Sequence, residues 1–205
     1  MKIVVAATNE QWAALDRDAF KSAWQRVDDC EDFTQHNDAD AFFDLTGNSV
    51  LAGFASLGKP VFINSVTQTL KELNAPVNVL RINAWPGFLQ RPAWEIAGPV
   101  DKNVVDICKS LDKKVIAVPD EPGLIAARII AMIINEAYFA TGDEVSSRKE
   151  IDIAMKLGTN YPFGPFEWAS LIGPGNILAL LEKLSATDKR YQPAVLLIKE
   201  VNENS

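Results

Sequence analysis

The chain has 205 residues, of which 48% are apolar and 23% charged, the make-up of a globular protein with room for one large domain or two small ones. Its formal charge of -7 gives no electrostatic footing for a nucleic-acid partner. Two distant cysteines, Cys30 and Cys108, and a single histidine, His36, supply neither a disulfide framework nor a metal-ligand spacing.

Residues 3–7 form an apolar run that predicts a buried opening strand, and residues 10–21 carry Trp12, Leu15, Ala19 and Phe20 near helical spacing. Strands are expected at 24–27, 39–45, 61–64, 79–82, 93–97 and 115–118, with a short helix at 50–57 and a longer one at 100–111. Thr46-Gly47 and the Gly58/Pro60 pair punctuate them as turns. Strands alternating with helices predict a mostly parallel sheet covered on both faces.

From Pro122 onward the strand pattern stops. Pro122 suits a helix start, and the apolar helix it opens is expected to reach Thr141, ahead of Gly142. Ser147 with Glu150 has the spacing of a capping box, opening a helix that ends near Gly158; Pro162, Gly164 and Pro165 make a corner. Further helices are expected at 166–172, 177–184 and 193–201. The fold class is therefore α/β followed by all-α, with a domain over residues 1–121 and a helical one over 122–205. The longest apolar stretch, 124–134, is interrupted by Arg128 and falls short of the ~20 residues of a membrane span. The first residues lack the apolar core of a signal peptide. The expectation is a cytoplasmic protein with no membrane contact.

Two stretches carry a resemblance. Lys113-Lys-Val-Ile-Ala-Val-Pro-Asp-Glu-Pro-Gly-Leu-Ile-Ala-Ala-Arg128 runs from a strand through a Pro-Gly corner into a helix, and Ile151-Asp-Ile-Ala-Met-Lys-Leu-Gly-Thr-Asn-Tyr-Pro-Phe-Gly-Pro-Phe-Glu167 follows. Together they resemble the substrate-domain entry of the 3-hydroxyacyl-CoA dehydrogenases. The resemblance covers roughly residues 59–200. It implies a Rossmann-like first domain, here shortened, and a helical second domain of the 6-phosphogluconate-dehydrogenase C-terminal type. It also implies an acyl-CoA ligand, NAD as cofactor and a homodimer formed through the helical domain. The apolar breadth of Ile125, Ile129, Ile130, Met132, Ile133 and Ile134 agrees with a helix packed on more than one side.

In that family a histidine takes the proton of the substrate 3-hydroxyl, and a glutamate twelve positions later orients it. The matching segment is Asn83-Ala-Trp-Pro-Gly-Phe-Leu-Gln-Arg-Pro-Ala-Trp-Glu95. Glu95 stands at the glutamate's place and Asn83 at the histidine's, and an amide has no titratable nitrogen near neutral pH. The family's Ser-Asn-Thr-Ser-Ser turn falls at Ile63-Asn-Ser-Val-Thr67, so Asn64 and Thr67 are candidate substrate-binding residues while Val66 replaces the substrate-facing serine. Arg128 is retained from the family's Pro-Gly-Phe-Ile-Val-Asn-Arg, but its substrate-contacting asparagine is Ala127.

A dinucleotide site wants a glycine-rich turn after the first strand, so that backbone can approach the pyrophosphate. Here that turn reads Ala6-Ala-Thr-Asn-Glu-Gln-Trp12, with no glycine. Asp28 and Asp29 follow the second strand where an acidic group would bind a cofactor ribose, with Asp28 the candidate cofactor-binding residue, against the simpler reading of a solvated acidic loop. His36 is read as a surface histidine that could replace the missing base only if its loop folded over Glu95. Glu95 could instead pair with Arg81 or Arg91. Trp85 and Trp94 are read as core, Lys113 and Lys114 as a solvated strand start, and Tyr161, Phe163, Phe166 and Trp168 as a packing corner. The leading expectation is a diverged family member with little or no dehydrogenase activity. The alternatives are a working NAD-dependent enzyme and a non-catalytic interaction subunit.

Overall fold

The computed structural model of the protein describes residues 1–15, 23–47 and 51–203, the side chain of Ala52 excepted. Residues 1–124 and 125–205 form two compact units. In the first, β1 (Lys2–Ala6), β2 (Ala23–Val27), β3 (Ala41–Asp44), β4 (Val61–Asn64), β5 (Val79–Ile82), β6 (Ala93–Ala97) and β7 (Lys114–Val118) make one sheet. The strand order is β2-β1-β3-β4-β5-β6-β7.

Neighbours are parallel except β5 and β6. The reversal has a simple cause. A parallel return needs a crossover of roughly a dozen or more residues, commonly a helix, and residues 83–92 are too few. The chain turns back, and β6 and β7 run against the first five strands. The direction of β1–β5 and the change of order between β1 and β3 mark a doubly wound sheet with its switch point there. That plan normally places a further strand beyond β2. Among the described residues β2 is the edge, and the chain passes from it through a 3₁₀ helix (Cys30–Gln35) directly to β3.

Alternation along the strands sorts the sheet's two faces. Phe43, Phe62, Ile82, Trp94 and Ile96 lie on one face and pack under α2 (Lys102–Ser110), which contributes Val104, Ile107 and Cys108. Asp101 caps α2, its carboxylate accepting from the Val104 N–H at 2.9 Å. On the other face Val4, Phe42, Val61, Ile63 and Val79 pack with Phe33 and Phe54 from the 3₁₀ segments. That second layer stops at β5, so the corresponding face of β6 and β7 has no such cover within this unit.

The first helix, α1 (Asn9–Ala14), is shorter than the periodicity suggested, and the rest of that expected helix lies outside the described residues, as does Val50. The segment 51–57 is a 3₁₀ helix. A larger correction concerns Pro122. It does not open the apolar helix, which begins at Ala126. Gly123 and Leu124 adopt φ of +83° and +50°, and the Gly123 N–H donates to the Val66 carbonyl at 2.8 Å. A turn through the left-handed region therefore comes first, at a position where glycine carries no steric penalty.

The second unit is helical: α3 (Ala126–Gly142), α4 (Arg148–Thr159), α5 (Pro165–Ile172), α6 (Pro174–Ser185), a 3₁₀ turn (Lys189–Tyr191) and α7 (Val195–Glu203). Ser147 and Glu150 form the expected capping box at the start of α4, which ends on Asn160 in the left-handed conformation rather than at Gly158. Helix α3 packs against α5, α6 and α7. Asn135, buried on α3, donates to the Gln192 carbonyl at 2.9 Å and accepts from the Ala194 N–H at 2.8 Å, tying the approach to α7 onto α3. The Tyr138 hydroxyl and Arg148 meet the Glu200 carboxylate at 2.9 and 2.6 Å. The aromatic corner is packed as expected, with Trp168 at 5.5 Å from Tyr161 and 6.0 Å from Phe163. Among the described residues no helix is long and apolar enough to cross a membrane.

Candidate functional site beside β5 and β6

The antiparallel register of β5 and β6 pairs Arg81 with Ala97 and Ile82 with Ile96. One step further that register would set Asn83 opposite Glu95, and both residues line one cleft. The spacing of twelve residues is thus the length of a hairpin that returns to place these two side chains opposite each other. Glu95 in turn pairs across to Ile116 of β7. Alternation puts Glu95 and Ile116 on the face that no helix of this unit covers, opposite Trp94 and Ile96. A cleft of about 210 Å³ results, lined by Asn83, Phe88, Arg91, Trp94, Glu95 and Ile116 among others. Ile116 is 44% exposed there, although it sits mid-strand.

Asn83 is only 7% exposed. Its Oδ1 accepts from the Trp85 N–H at 3.1 Å, and its buried Nδ2 has no partner. Arg91 lies over the Phe88 ring at 4.1 Å. Burial draws the Arg91 pKa down while Glu95 raises it; guanidinium stays charged under either influence. Lys113 is not a solvated strand start: its Nζ donates to the Arg91 carbonyl at 3.0 Å and lies 5.5 Å from the Trp94 ring. Trp94 donates its indole N–H to the Leu89 carbonyl at 3.0 Å, holding the loop before β6 against the strand. Trp85 is buried.

Arg81 does not pair with Glu95. Its fully buried guanidinium donates to Asp120 Oδ1 at 2.6 Å, to the carbonyls of Ser65 and Val66 at 2.7 and 3.0 Å, and to the Glu121 carbonyl at 3.3 Å. It joins the turn after β4 to the turn after β7. A charged residue inside the apolar Val79-Leu-Arg-Ile82 run was the signal for this role, and only the turns it reaches reveal its partners. Asp120 also accepts from the N–H groups of Leu70 and Lys71 at 3.0 and 3.2 Å.

Burial alone would raise the Asp120 pKa, but the Leu70 N–H, Arg81 and the Lys71 N–H together hold it below the ordinary aspartate value. The folded state therefore keeps this carboxylate ionised to lower pH than the unfolded chain does. Its contribution to stability is complete above about pH 4 and is lost as pH falls further, because the unfolded chain takes up the proton first. The thermal midpoint of the wild type is expected to fall below pH 4 more steeply than that of Asp120→Asn. Parallel pH profiles of the two proteins would contradict this.

The other expected site residues are placed as follows. Asn64 donates to the Leu45 carbonyl and accepts from the Ala84 N–H, both at 3.1 Å, linking the ends of β3, β4 and β5. Thr67 lies half-buried in the turn after β4. Arg128 belongs to the helical unit, 5.9 Å from the Tyr191 ring. His36 precedes β3, on a loop tied to the start of β1 by Lys2, which reaches Asp38 and Asp40 at 2.8 Å. In a parallel sheet that is the end opposite Asn83, so the loop of His36 does not fold over Glu95. Burial pushes the Cys108 thiol up to about 12, which removes it as a nucleophile.

The turn after β1 tests the fit of a dinucleotide. The Thr8 N–H donates to Gln11 Oε1 at 3.0 Å, and the Gln11 N–H to Thr8 Oγ1 at 3.2 Å. Gln11 Nε2 reaches the Leu45 carbonyl. Arg26 closes over the turn, donating to the Ala7 carbonyl at 3.1 and 2.8 Å and to Asn9 Oδ1 at 2.8 Å. Two of the N–H groups a pyrophosphate would use are engaged by the protein's own side chains, and Glu10 adds a negative charge. The residues present at this turn do not fit that group. Asp28 is exposed just past β2, and Asp29 caps the 3₁₀ helix through the Glu31 N–H at 2.9 Å.

Residues 123–205 match the family model described as the 3-hydroxyacyl-CoA dehydrogenase C-terminal domain. Over that part the chain resembles the 3-hydroxyacyl-CoA dehydrogenases. Among its relatives, 3-hydroxyadipyl-CoA dehydrogenase of Escherichia coli K12 is 46% identical over 87 residues, 42% of this chain and 18% of that protein. The 3-hydroxybutyryl-CoA dehydrogenase of Clostridioides difficile is 40% identical over 103 residues, 49% of this chain and 37% of that protein. The match thus spans well under half the length of either relative. The fold extends the likeness over both units: the (S)-3-hydroxybutyryl-CoA dehydrogenase of Ralstonia eutropha aligns with a TM-score of 0.74 at 20% identity, covering 99% of this chain and 93% of that one.

Proposed function

We propose that this chain is a member of the 3-hydroxyacyl-CoA dehydrogenase family with little or no dehydrogenase activity, which keeps the cleft at Asn83 and Glu95 for an acyl-CoA or a related small molecule of acyl-CoA metabolism. The observation that carries this reading is the amide facing Glu95. Asn83 offers an N–H donor to a substrate oxygen and no site for its proton, and loss of general-base help costs on the order of 10²–10⁴ in rate. The side-chain-filled turn after β1 supports the same reading from the cofactor side. Asn64, Thr67 and Arg128 remain its proposed substrate-side residues, and Asp28 the remnant of a ribose contact.

The helical unit is proposed to pair with a second copy, in a cytoplasmic homodimer. Ile125, just ahead of α3, and Ile129 on it are 46% and 52% exposed, and apolar surface of this kind is a natural interface between copies. Purified protein given NADH and acetoacetyl-CoA is expected to oxidise NADH at least ~10²-fold more slowly than a family enzyme with the histidine. Calorimetric titration with NADH is expected to give no heat of binding. Turnover at the rate of such an enzyme would overturn the proposal and favour a working dehydrogenase.

A further inference from the structure

Two residues on the cleft beside β6 carry hydrogen-bond donors that, among the described residues, have no acceptor from the protein. One is Asn83 Nδ2, whose orientation is set because the other end of the amide holds the Trp85 N–H. A buried amide N–H left in this state is unfavourable, and such groups point to an absent partner. The other is Arg91, which among the described residues makes no salt bridge and rests on the Phe88 ring. Arg91, Lys113 behind the same loop and Lys114 at the start of β7 carry positive charge, and Glu95 carries negative charge. The excess is positive on the Arg91 side. The remaining walls, Phe88, Pro92, Ala93 and Ile116, are apolar or aromatic.

We infer that this cleft recognises a short acyl group that ends in a carboxylate, with the carboxylate on Arg91 and a carbonyl oxygen accepting from Asn83 Nδ2–H. The inference rests on the ligand reading of the same cleft given above and narrows it. Guanidinium matches carboxylate geometry with two parallel bonds, and the Phe88 ring beneath Arg91 restricts its motion, so less ordering is needed on binding. Glu95 repels an anion placed beside it, which keeps the carboxylate at the Arg91 end and leaves the middle of the ligand against Ile116 and Pro92. A volume of about 210 Å³ lies below the ~300–1,000 Å³ of pockets for drug-sized ligands, so the group is a few carbons long. The same chemistry is offered by a free oxo acid and by the far end of a carboxylate-terminated acyl thioester.

Isothermal titration with two matched pairs separates these sources. Acetoacetate is compared with the neutral pentane-2,4-dione, and glutaryl-CoA with butyryl-CoA. The carboxylate member of at least one pair is expected to bind ten-fold or more tightly than its neutral counterpart. Arg91→Gln is expected to abolish that preference, and Asn83→Asp to weaken every probe that binds the wild type, with melting curves reporting whether each variant folds. A preference in the first pair assigns a free acid, and one in the second a thioester. Equal binding within both pairs overturns the inference, even where the CoA esters bind and the ligand reading stands. Acetoacetate binding with no CoA ester bound leaves the inference standing and removes the acyl-CoA reading. No binding of any probe removes both. Should Arg91→Gln not fold, the wild-type preferences decide alone.

Discussion

Replacing Arg81 with Met is expected to cost roughly 3–5 kcal/mol, seen as a drop of about 10 °C or more in the thermal midpoint. The guanidinium is fully buried and serves four acceptors, on Ser65, Val66, Asp120 and Glu121. Methionine fills the volume but donates nothing. Three carbonyls and a carboxylate then lose their partner, and unpaired buried acceptors carry the full cost of desolvation. The loss reaches the candidate site, because the turn after β4 carries Thr67 and follows directly on Asn64. Arg81→Lys separates charge from geometry. An ammonium keeps the charge opposite Asp120 but lacks the planar fork that spans both turns, so it is expected to recover less than half of the lost stability. A Lys variant as stable as the wild type would show that charge alone matters here.

Truncating Phe43 to Ala is expected to cost about 3–5 kcal/mol. Phe43 is fully buried at the centre of the sheet. Its ring stacks on Phe62 at 4.4 Å and lies 5.9 Å from Trp94 and 6.3 Å from Trp24. Neighbouring aromatics on β2, β4 and β6 are anchored in the sheet backbone, so they cannot collapse into the space, and the cavity term adds to the lost transfer energy. Chemical denaturation would show a lower midpoint with little change in slope. Phe43→Leu is expected to lose less than half as much, since it keeps most of the volume. Equal losses for Ala and Leu would point to the ring stack rather than the cavity as the dominant contribution.

The candidate site was partly legible in the chain. Asn83 and Glu95 could be singled out because their segment resembles a family motif with a fixed spacing, and that spacing is local: one hairpin sets it. Arg91 was visible only as a pairing partner for Glu95, and its place on the cleft wall follows from the Arg91–Phe88 contact, which sequence alone does not reveal. Phe88 and Ile116 carried no signal. An isoleucine in the middle of a strand reads as core, and here it faces a cleft because α2 covers only the opposite face of β6 and β7. Lys113 read as solvated because charged residues at strand starts usually are. It instead reaches back to a backbone carbonyl in another loop.

Strand and helix positions were determined by the sequence itself, because they depend on interactions a few residues apart. Short apolar runs mark β4, β5 and β6, and the Ser147–Glu150 box marks the start of α4, with no knowledge of what packs against them. Direction and partnership were decided by the tertiary structure. The reversal of β6, the turn that delays α3 to Ala126, the position of His36 at the far end of the sheet and the four acceptors of Arg81 all depend on residues distant in the chain. Pairings of that kind are selected by the burial and hydrogen-bond satisfaction of the whole unit, to which local propensity contributes only a weak bias.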